Sequence, residues 1–178
     1  MAVKATIYKA ELQVNDIDRN YYGGHSLTLA LHPSETEERL MVRLLAFALN
    51  AGEGLAFGRG ISADDEPDLW RRDLTGQIES WIEIGQPDES RIRKACGRAG
   101  EVRIYCFSGR SAAIWWGKNA SALERCANLR VFDIPAESSQ RLAGLASRNM
   151  DLQCLIQDGQ VQLIDGASSV DIEVLPLK

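Results

Sequence analysis

The stretch "IESWIEIGQPDESRIRKAC", residues 78–96, decides the fold prediction. Its first seven residues place Ile78, Ser80, Ile82 and Ile84 at alternate positions, and this period of two is typical of a β-strand. A proline follows, and the residues after it place charges at helical spacing. We therefore predict a strand, a turn and a helix over residues 88–98. The face of the strand opposite the isoleucines carries the two carboxylates, Glu79 and Glu83.

A second strand is predicted directly after this helix. The stretch "EVRIYCFS", residues 101–108, is largely apolar on both faces, as in a central strand. A strand, a helix of about ten residues and another strand form the usual parallel unit, so we expect the strands of Glu83 and Ile104 to pair side by side. Further strands and helices alternate along the centre of the chain, including a helix over residues 111–126 that breaks near Gly117.

Both ends of the chain are rich in strands. Near the N-terminus Val3, Ala5 and Ile7 alternate with more polar residues, and the pairs Asn15-Asp16 and Gly23-Gly24 are turn signals. At the C-terminus Asp158-Gly159 predicts a hairpin turn. The predicted fold is α/β, with a mixed β-sheet, flanking helices and antiparallel strands from both termini.

The clearest helix lies in "HPSETEERLMVRLLAFALNAG", residues 32–52. Ser34 and Glu37 have the spacing of a capping box, in which each side chain bonds the backbone N–H of the other residue. An apolar stripe at helical spacing predicts the buried face, which consists of Leu40, Met41, Leu44, Leu45 and Ala48.

The composition is that of an ordinary globular protein, with 178 residues, 45% hydrophobic and 25% charged. We expect one compact domain over residues 1–178, a monomer, with no signal peptide and no membrane-spanning helix. The four cysteines are widely spaced, so we interpret them as reduced thiols of a cytoplasmic protein, and two histidines make a zinc site improbable. The net charge of −5 excludes an overall basic surface, although it allows a local basic stripe.

Acidic residues upstream of Glu83 indicate a metal-dependent hydrolase. Asp68 follows Pro67 and precedes Glu83 by fifteen residues, the spacing of a hairpin in nucleases with the motif P-D…(D/E)-x-K. Glu38 on the first helix is a further acid of the kind that such folds add. Magnesium prefers oxygen ligands from one or two carboxylates, and it polarises a phosphoryl oxygen and generates hydroxide.

The lysine of that motif is missing, because Gly85 stands two residues after Glu83. The next helix carries Arg91, Lys94 and Arg98 along one stripe. Lys94 is the candidate for the missing charge, and the two arginines are candidate phosphate contacts. The alternative is that the stripe is only the solvated face of an amphipathic helix and that the acidic residues form a solvated turn.

Longer stretches make the chain resemble a known family. They are "KATIYKAELQVNDIDRNYY", "LTLALHPSETEERLMVRLLAFAL", "GISADDEPDLW", "WIEIGQPDESRIRKAC", "SAAIWWGKN" and "LQCLIQDGQVQL". In order and spacing they resemble the bacterial YaeQ proteins along essentially the whole chain. The resemblance implies a compact α/β domain that varies the restriction-endonuclease-like P-D…(D/E)-x-K core, and it implies no particular reaction.

The resemblance also selects candidate residues. The family's A-D-D-E-P turn falls on residues 63–67, which makes Asp65 an alternative to Asp68 as the nuclease aspartate. Its W-I-E strand motif selects Glu83, and its H-P-S-E-T-x-E-R motif selects Glu38. The candidate metal ligands are thus Asp65, Asp68 and Glu83, holding Mg²⁺ or its substitute Mn²⁺, and the basic stripe on the helix makes nucleic acid the candidate partner.

Two functions stay open from the sequence. One is a magnesium-dependent nuclease or phosphodiesterase. The other is a binding module for nucleic acid or protein on the same fold, with Arg91, Lys94 and Arg98 touching phosphates and Trp115-Trp116 at a surface or, as is more common, in the core. Serine-hydrolase and nucleotide-cofactor functions are disfavoured, because the chain has neither G-x-S-x-G nor a P-loop lysine.

Overall fold

The computed structural model describes residues 4–178, so Val3 lies outside the described residues. This part of the chain divides into two compact units. Unit 1 comprises Met1–Gly52 and Glu137–Glu173, and unit 2 comprises Glu53–Ala136 and Val174–Lys178. The single domain over residues 1–178 stays a prediction.

Eleven strands and four α-helices occur within residues 4–178, together with a 3-10 turn at Gly60–Ser62. In chain order they are β1 (Thr6–Asp16), β2 (Tyr21–Leu31), α1 (Glu37–Asn50), β3 (Leu55–Phe57), β4 (Leu69–Arg72), β5 (Ile78–Ile84), α2 (Glu89–Arg98), β6 (Ala99–Cys106), α3 (Arg110–Asn119), β7 (Leu129–Asp133), α4 (Ala136–Ala143), β8 (Asn149–Gln157), β9 (Gln160–Asp165), β10 (Ser168–Ile172) and β11 (Leu175–Pro176).

Unit 1 contains a five-stranded sheet with the order β10-β9-β8-β1-β2. Only the β1–β8 pair of this sheet is parallel. The buried face of β1 consists of Tyr8, Ala10, Leu12 and Val14. Ile7, which we placed among the apolar alternating positions, is 41% exposed. Ile7 shares its face of β1 with Lys9 and Glu11, whose charges are costly to bury. The other face of the strand, which begins with Tyr8, therefore packs in the core.

The three turn predictions in unit 1 had different outcomes. Asn15-Asp16 ends β1, directly before the chain reverses. The turn at Gly23-Gly24 is wrong, because both glycines lie inside β2. The chain reverses before β2 instead, where Asp16 Oδ1 accepts a hydrogen bond of 3.1 Å from the Arg19 N–H. The Asp158-Gly159 turn is confirmed: both residues have positive φ, 54° and 74°, as a tight two-residue hairpin requires.

The N-cap of α1 lies two residues later in the chain than predicted. Thr36, not Ser34, is the N-cap, and its hydroxyl accepts a hydrogen bond of 3.1 Å from the Arg39 N–H. Ser34 instead bonds the ring of His32. The predicted apolar stripe is confirmed, since all five of its side chains are buried. The face is wider than predicted because Arg43 is also buried, paired with buried Glu35 at 2.9 Å.

Unit 2 contains a six-stranded sheet with the order β11-β7-β6-β5-β4-β3. Strands β5, β6 and β7 are parallel, and the other neighbouring pairs are antiparallel. Glu83 and Ile104 are direct partners in the β5–β6 ladder, with α2 as the connection, so that prediction is confirmed. The predicted break at Gly117 is wrong, because α3 continues to Asn119.

The core of unit 2 lies between its central strands and helices α2 and α3. Burial of apolar side chains from these elements supplies the main driving force for their packing. The buried residues are Trp81, Ile92, Ala95, Ala99, Val102, Ile104, Cys106, Ala112, Trp115, Leu123, Leu129 and Val131. The fold class is thus mixed α/β, and no helix described here is long and apolar enough to cross a membrane.

Leu44→Ala tests the packing of α1. Leu44 is fully buried, so the substitution removes apolar contacts and leaves a cavity that should lower the free energy of unfolding by about 2–5 kcal/mol. Urea unfolding followed by circular dichroism measures this change. Leu74→Ala is the control, because Leu74 is fully exposed and its loss should change the free energy by less than about 0.5 kcal/mol. Equal midpoints for the two variants would contradict the assigned face.

Candidate functional site

The β4–β5 hairpin places a row of polar and aromatic side chains on one face of the unit 2 sheet. Trp70 on β4 pairs directly with Trp81 on β5, so their side chains share a face. Asp68 precedes Trp70 by two residues, and Glu83 follows Trp81 by two. Because side chains alternate along a strand, both carboxylates belong to this same face.

Glu83 is a buried carboxylate with two hydrogen-bond donors. Its side chain is 8% exposed, and Oε1 accepts a bond of 2.9 Å from the indole N–H of Trp81 and one of 2.7 Å from Nε of Arg91. Oε2 accepts no hydrogen bond from any residue in the described range. Burial raises the pKa of Glu83; the Arg91 charge and the Trp81 bond oppose this, and nearby Asp68 adds to it.

Asp68 is held by backbone on the neighbouring strand. It is 3% exposed, and its Oδ2 accepts a hydrogen bond of 2.8 Å from the N–H of Ile84, the residue after Glu83. Gly60 lies against its other oxygen at φ +49°, and a Cβ at this position would collide with Oδ1. The hairpin and the 3-10 turn therefore fix the two carboxylates near each other.

Arg91 joins the acidic loop to β5. Its Nη1 donates to the carbonyl oxygen of Asp64 at 2.8 Å, and its Nη2 donates to that of Glu66 at 2.9 Å. With the bond to Glu83, three of its five N–H donors have protein acceptors. Asp88 positions Arg91 by capping α2, accepting from the Arg91 backbone N–H at 2.8 Å. The candidate site is therefore the trio of Asp68, Glu83 and Arg91.

The other predicted residues have different surroundings. Asp65 is 77% exposed and lies 4.0 Å from Arg59. Lys94 is exposed and makes no hydrogen bond or ion pair with a residue in the described part of the chain. Arg98 is exposed, with its guanidinium 5.1 Å from the centroid of the Trp81 ring. Glu38 belongs to unit 1, where its Oε1 accepts a hydrogen bond of 3.1 Å from Ser139.

The backbone requires glycine at position 85, where the motif has its lysine. Gly85 has φ +106°, a backbone conformation that residues other than glycine rarely adopt. Its N–H donates to the Tyr105 carbonyl at 2.9 Å. A lysine at this position would strain the exit from β5. Gln86, the next residue, donates from Nε2 to Ser111 Oγ at 3.0 Å. A cation at this site therefore comes from α2.

The site offers two carboxylates to a magnesium ion, and water would have to supply the other ligands. Among residues 4–178 no group of three or more His, Cys, Asp or Glu side chains is arranged to hold a metal ion. Magnesium is often bound by one or two carboxylates, with water completing its shell. Asp68 and Glu83 supply two carboxylates, and Glu83 keeps one oxygen without a donor among residues 4–178. These two residues fit such an ion, whereas exposed Asp65 is paired elsewhere.

One contact was missed from the sequence. A buried indole N–H needs an acceptor, and Glu83, two residues from Trp81 on the same face, is the nearest candidate. The W-x-E spacing was the available signal. Trp115 of the tryptophan pair is buried and Trp116 is half-buried, so the pair belongs mainly to the core.

Fold and site define a mixed α/β protein with a buried carboxylate pair next to an arginine. The family model described as YaeQ protein matches residues 1–174, and the chain belongs to this family. It is 48% identical to "Uncharacterized protein YaeQ" of Escherichia coli (strain K12) over 174 residues, which cover 98% of this chain and 96% of that protein. The corresponding protein of Salmonella typhi is 47% identical over the same coverage.

Two crystal structures have the same fold. The YaeQ protein from Xanthomonas axonopodis pv. citri superposes with a TM-score of 0.94 at 52% identity, covering 98% of each chain. The YaeQ protein from Pseudomonas syringae superposes with a TM-score of 0.93 at 36% identity, covering 98% of this chain and 96% of that one. The family identification from sequence stretches is confirmed.

Gly60→Ala tests the contact that orients Asp68. A methyl group at this position meets Oδ1 of Asp68 and also strains a positive φ, so the unfolding free energy should fall by more than about 1 kcal/mol. Denaturant unfolding measures the change. Gly97→Ala on α2 is the matched control, because its Cβ meets nothing within 4 Å and alanine favours a helix. Equal effects of the two substitutions would disprove the contact.

Glu83→Gln tests the burial of the site carboxylate. The raised pKa means that the folded protein holds the Glu83 proton more tightly than the unfolded chain does. Protonated Glu83 therefore favours folding at low pH, and this advantage is lost as the pH rises from the ordinary value of 4.5 through the raised value. The unfolding free energy of wild type minus that of Glu83→Gln should fall across this interval.

Urea unfolding at a series of pH values measures this difference. Glu79→Gln is the control, since Glu79 is an exposed carboxylate on the same strand. For each variant, the unfolding free energy of wild type minus that of the variant is plotted against pH. If this difference has the same slope for Glu83→Gln as for Glu79→Gln, or rises with pH for Glu83→Gln, the description of Glu83 as a buried carboxylate is wrong.

Proposed function

We propose that this protein is a metal-dependent phosphodiesterase acting on nucleic acid, with a variant restriction-endonuclease-like site built from Asp68 and Glu83. One observation carries the proposal: two buried carboxylates share a face of the β4–β5 hairpin, and the Arg91 guanidinium joins one of them, Glu83, to the acidic loop. Buried carboxylates are costly unless compensated, and perturbed groups of this kind concentrate at functional sites.

The arrangement of the strands supports the proposal. Asp68 directly precedes β4, and Glu83 lies on β5, its antiparallel partner. The P-D…(D/E)-x-K motif also takes its carboxylates from the two strands of a hairpin, and this likeness supports the proposal. Strand β6 then pairs in parallel with β5 after a helical connection. Four free cysteines fit the expected cytoplasmic location.

The proposed roles follow from the contacts of each side chain. Mg²⁺, or Mn²⁺ in its place, would polarise the phosphoryl oxygen and supply an activated water. Glu83 would bind the ion through Oε2, since Oε1 is held by Trp81 and Arg91. Asp68 would be the second ligand, oriented by its bond to the Ile84 N–H. Arg91 favours the ionised form of Glu83 at neutral pH.

Arg91, Lys94 and Arg98 would meet the negative charge of the substrate. Arg91 keeps two N–H donors beyond its three protein bonds, and a guanidinium fixed in this way is preorganised for a phosphate oxygen. Lys94, one helical turn further along α2, would bring the mobile charge that the motif lysine supplies elsewhere. Asp65 and Glu38 stay predictions from the sequence.

A specific observation favours a second candidate, a binding module without catalysis. Arg91 already compensates Glu83, and it also bonds two loop carbonyls, so the trio is stable as a purely structural network. Gly85 removes the lysine on which the motif depends. In this case nucleic acid or protein would bind without being cleaved.

Cleavage assays separate the two candidates. Labelled single-stranded and duplex oligonucleotides are incubated with Mg²⁺ or Mn²⁺ and with wild type, Asp68→Asn, Glu83→Gln or Lys94→Met. We expect each substitution to lower the rate at least tenfold, about 1.4 kcal/mol in activation free energy, because each removes a metal ligand or a charge at the phosphate. Glu79→Gln is the control and should keep the wild-type rate.

A second readout is independent of cleavage. Mn²⁺ should raise the melting temperature of wild type and have less effect on Asp68→Asn and Glu83→Gln, because a ligand that binds the folded state stabilises it. A wild type that cuts no substrate and gains no stability from metal refutes the phosphodiesterase. If wild type cuts and Lys94→Met is as fast, the lysine role is wrong and the carboxylate site stands.

A further inference from the structure

Unit 2 has a second feature on the face that carries Asp68 and Glu83. A cavity of about 320 Å³ lies where β3, β4 and the β4–β5 turn meet. We call it the Trp70 pocket, and the residues that define it are Gly54, Ala56, Trp70, Arg72, Asp73, Leu74 and Gly76. Its volume lies at the lower end of the range of small-ligand sites, so it suits a single flat ring system.

The indole of Trp70 is held in place on one side. Its ring makes an edge-to-face contact with Trp81, with centroids 6.2 Å apart and an interplanar angle of 86°. Ala56 pairs with Trp70 on the edge strand β3, and its small side chain, together with Gly54, leaves room beside the indole. Trp70 is therefore a half-buried aromatic surface on a rigid support.

Charged groups beside the indole favour a nucleobase over a bare phosphate. The guanidinium of Arg72 lies over the Trp70 ring, 4.4 Å from its centroid, so a base that stacks on this face of the indole meets the guanidinium there. A planar cation of this kind also stacks on bases. Asp73 lines the same cavity and would repel a phosphate held inside it. Its Oδ1 is bonded to Thr75 and Gln77.

The pocket also lies in line with the carboxylate pair. Trp70 is two residues from Asp68, about 7 Å along a strand. Trp81, its partner, donates to Glu83. A single-stranded nucleic acid with one base stacked on Trp70 would therefore place a neighbouring phosphate close to Asp68 and Glu83.

We propose that the Trp70 pocket binds one base of a single-stranded nucleic acid, stacked on the indole, and thereby positions the adjacent phosphate at the carboxylate pair. An internal base of a duplex is already stacked and paired, and taking it out costs free energy, so single strands are the preferred substrate. This inference rests on the proposed phosphodiesterase for the role of the phosphate, whereas base binding itself is separable from catalysis.

Binding is measured without metal, in EDTA, so that cleavage plays no part. The probe is a fluorescein-labelled 12-nucleotide single strand, as DNA and as RNA, followed by anisotropy; the duplex and an abasic strand of the same length are compared. We expect Trp70→Leu to weaken binding of the single strand by roughly 5- to 150-fold, the effect of losing one stacked aromatic, and to leave the abasic strand unaffected. Trp70→Phe should restore most of the affinity.

Two matched substitutions control for folding and for charge. Trp116→Leu removes another half-buried tryptophan of unit 2 and should bind as wild type does. Arg72→Gln should weaken binding, whereas Arg125→Gln, at an exposed arginine outside the pocket, should change it less. Circular dichroism of each variant checks that the fold is retained, and Trp70→Phe provides the test if Trp70→Leu unfolds.

Each outcome decides between the two proposals. Loss of base-dependent binding in Trp70→Leu alone supports the pocket, even when wild type cuts nothing and the phosphodiesterase fails. Equal binding of the normal and abasic strands, or equal binding by Trp70→Leu and Trp116→Leu, overturns the pocket even when wild type cuts. A wild type that binds no single strand, or that binds only a protein partner, overturns it as well.

Discussion

The guanidinium of Arg91 bonds three acceptors in two other elements of unit 2. It reaches the carboxylate of Glu83 on β5 and the carbonyl oxygens of Asp64 and Glu66, 27 and 25 residues before it. A loop, a strand and a helix of unit 2 are thereby joined by one side chain. The same loop leads through Pro67 into Asp68, so the position of the second carboxylate also depends on this contact. A lysine could not replace Arg91, because a point charge lacks the planar fork that meets three acceptors at once.

Glu83 is held in a buried position by one cation and one indole. Burial raises the pKa of Glu83 although Arg91 lies at hydrogen-bond distance from it. A purely structural ion pair is stable when its partners are matched in charge and fully bonded. Here one oxygen of Glu83 has no donor among residues 4–178. Under the proposed function this oxygen is the one that would bind a metal ion.

Backbone conformation explains which residues could not serve the site. Gly85 leaves β5 with φ +106°, so the strand ends just where the nuclease motif would place its lysine. Gly60 has φ +49° against Asp68, and this position also excludes a side chain. The backbone conformation requires glycine at both positions. Because Gly85 stands where the motif has its lysine, a positive charge for the site would have to come from α2. The aromatic pair Trp70 and Trp81 lies on the same face of the hairpin as the two carboxylates.

Local patterns in the sequence were sufficient for much of the fold. The parallel pairing of Glu83 with Ile104 followed from a strand, a helix and a strand in succession, because few topologies connect such elements. The buried stripe of α1 and the Asp158-Gly159 hairpin also followed from local spacing and turn chemistry. The family followed from long stretches that resemble its members.

Tertiary structure decided which of several equivalent side chains belongs to the site. Asp65 and Asp68 are alike in sequence, yet packing leaves the first 77% exposed and buries the second. Arg91 and Lys94 lie on one stripe of α2, and only the first reaches Glu83. The cap of α1 at Thr36 and the buried parity of β1 were misjudged for a related reason, since several residues offered a similar pattern. Local sequence determines periodicity, whereas burial and charge pairing depend on residues that come together only when the chain has folded.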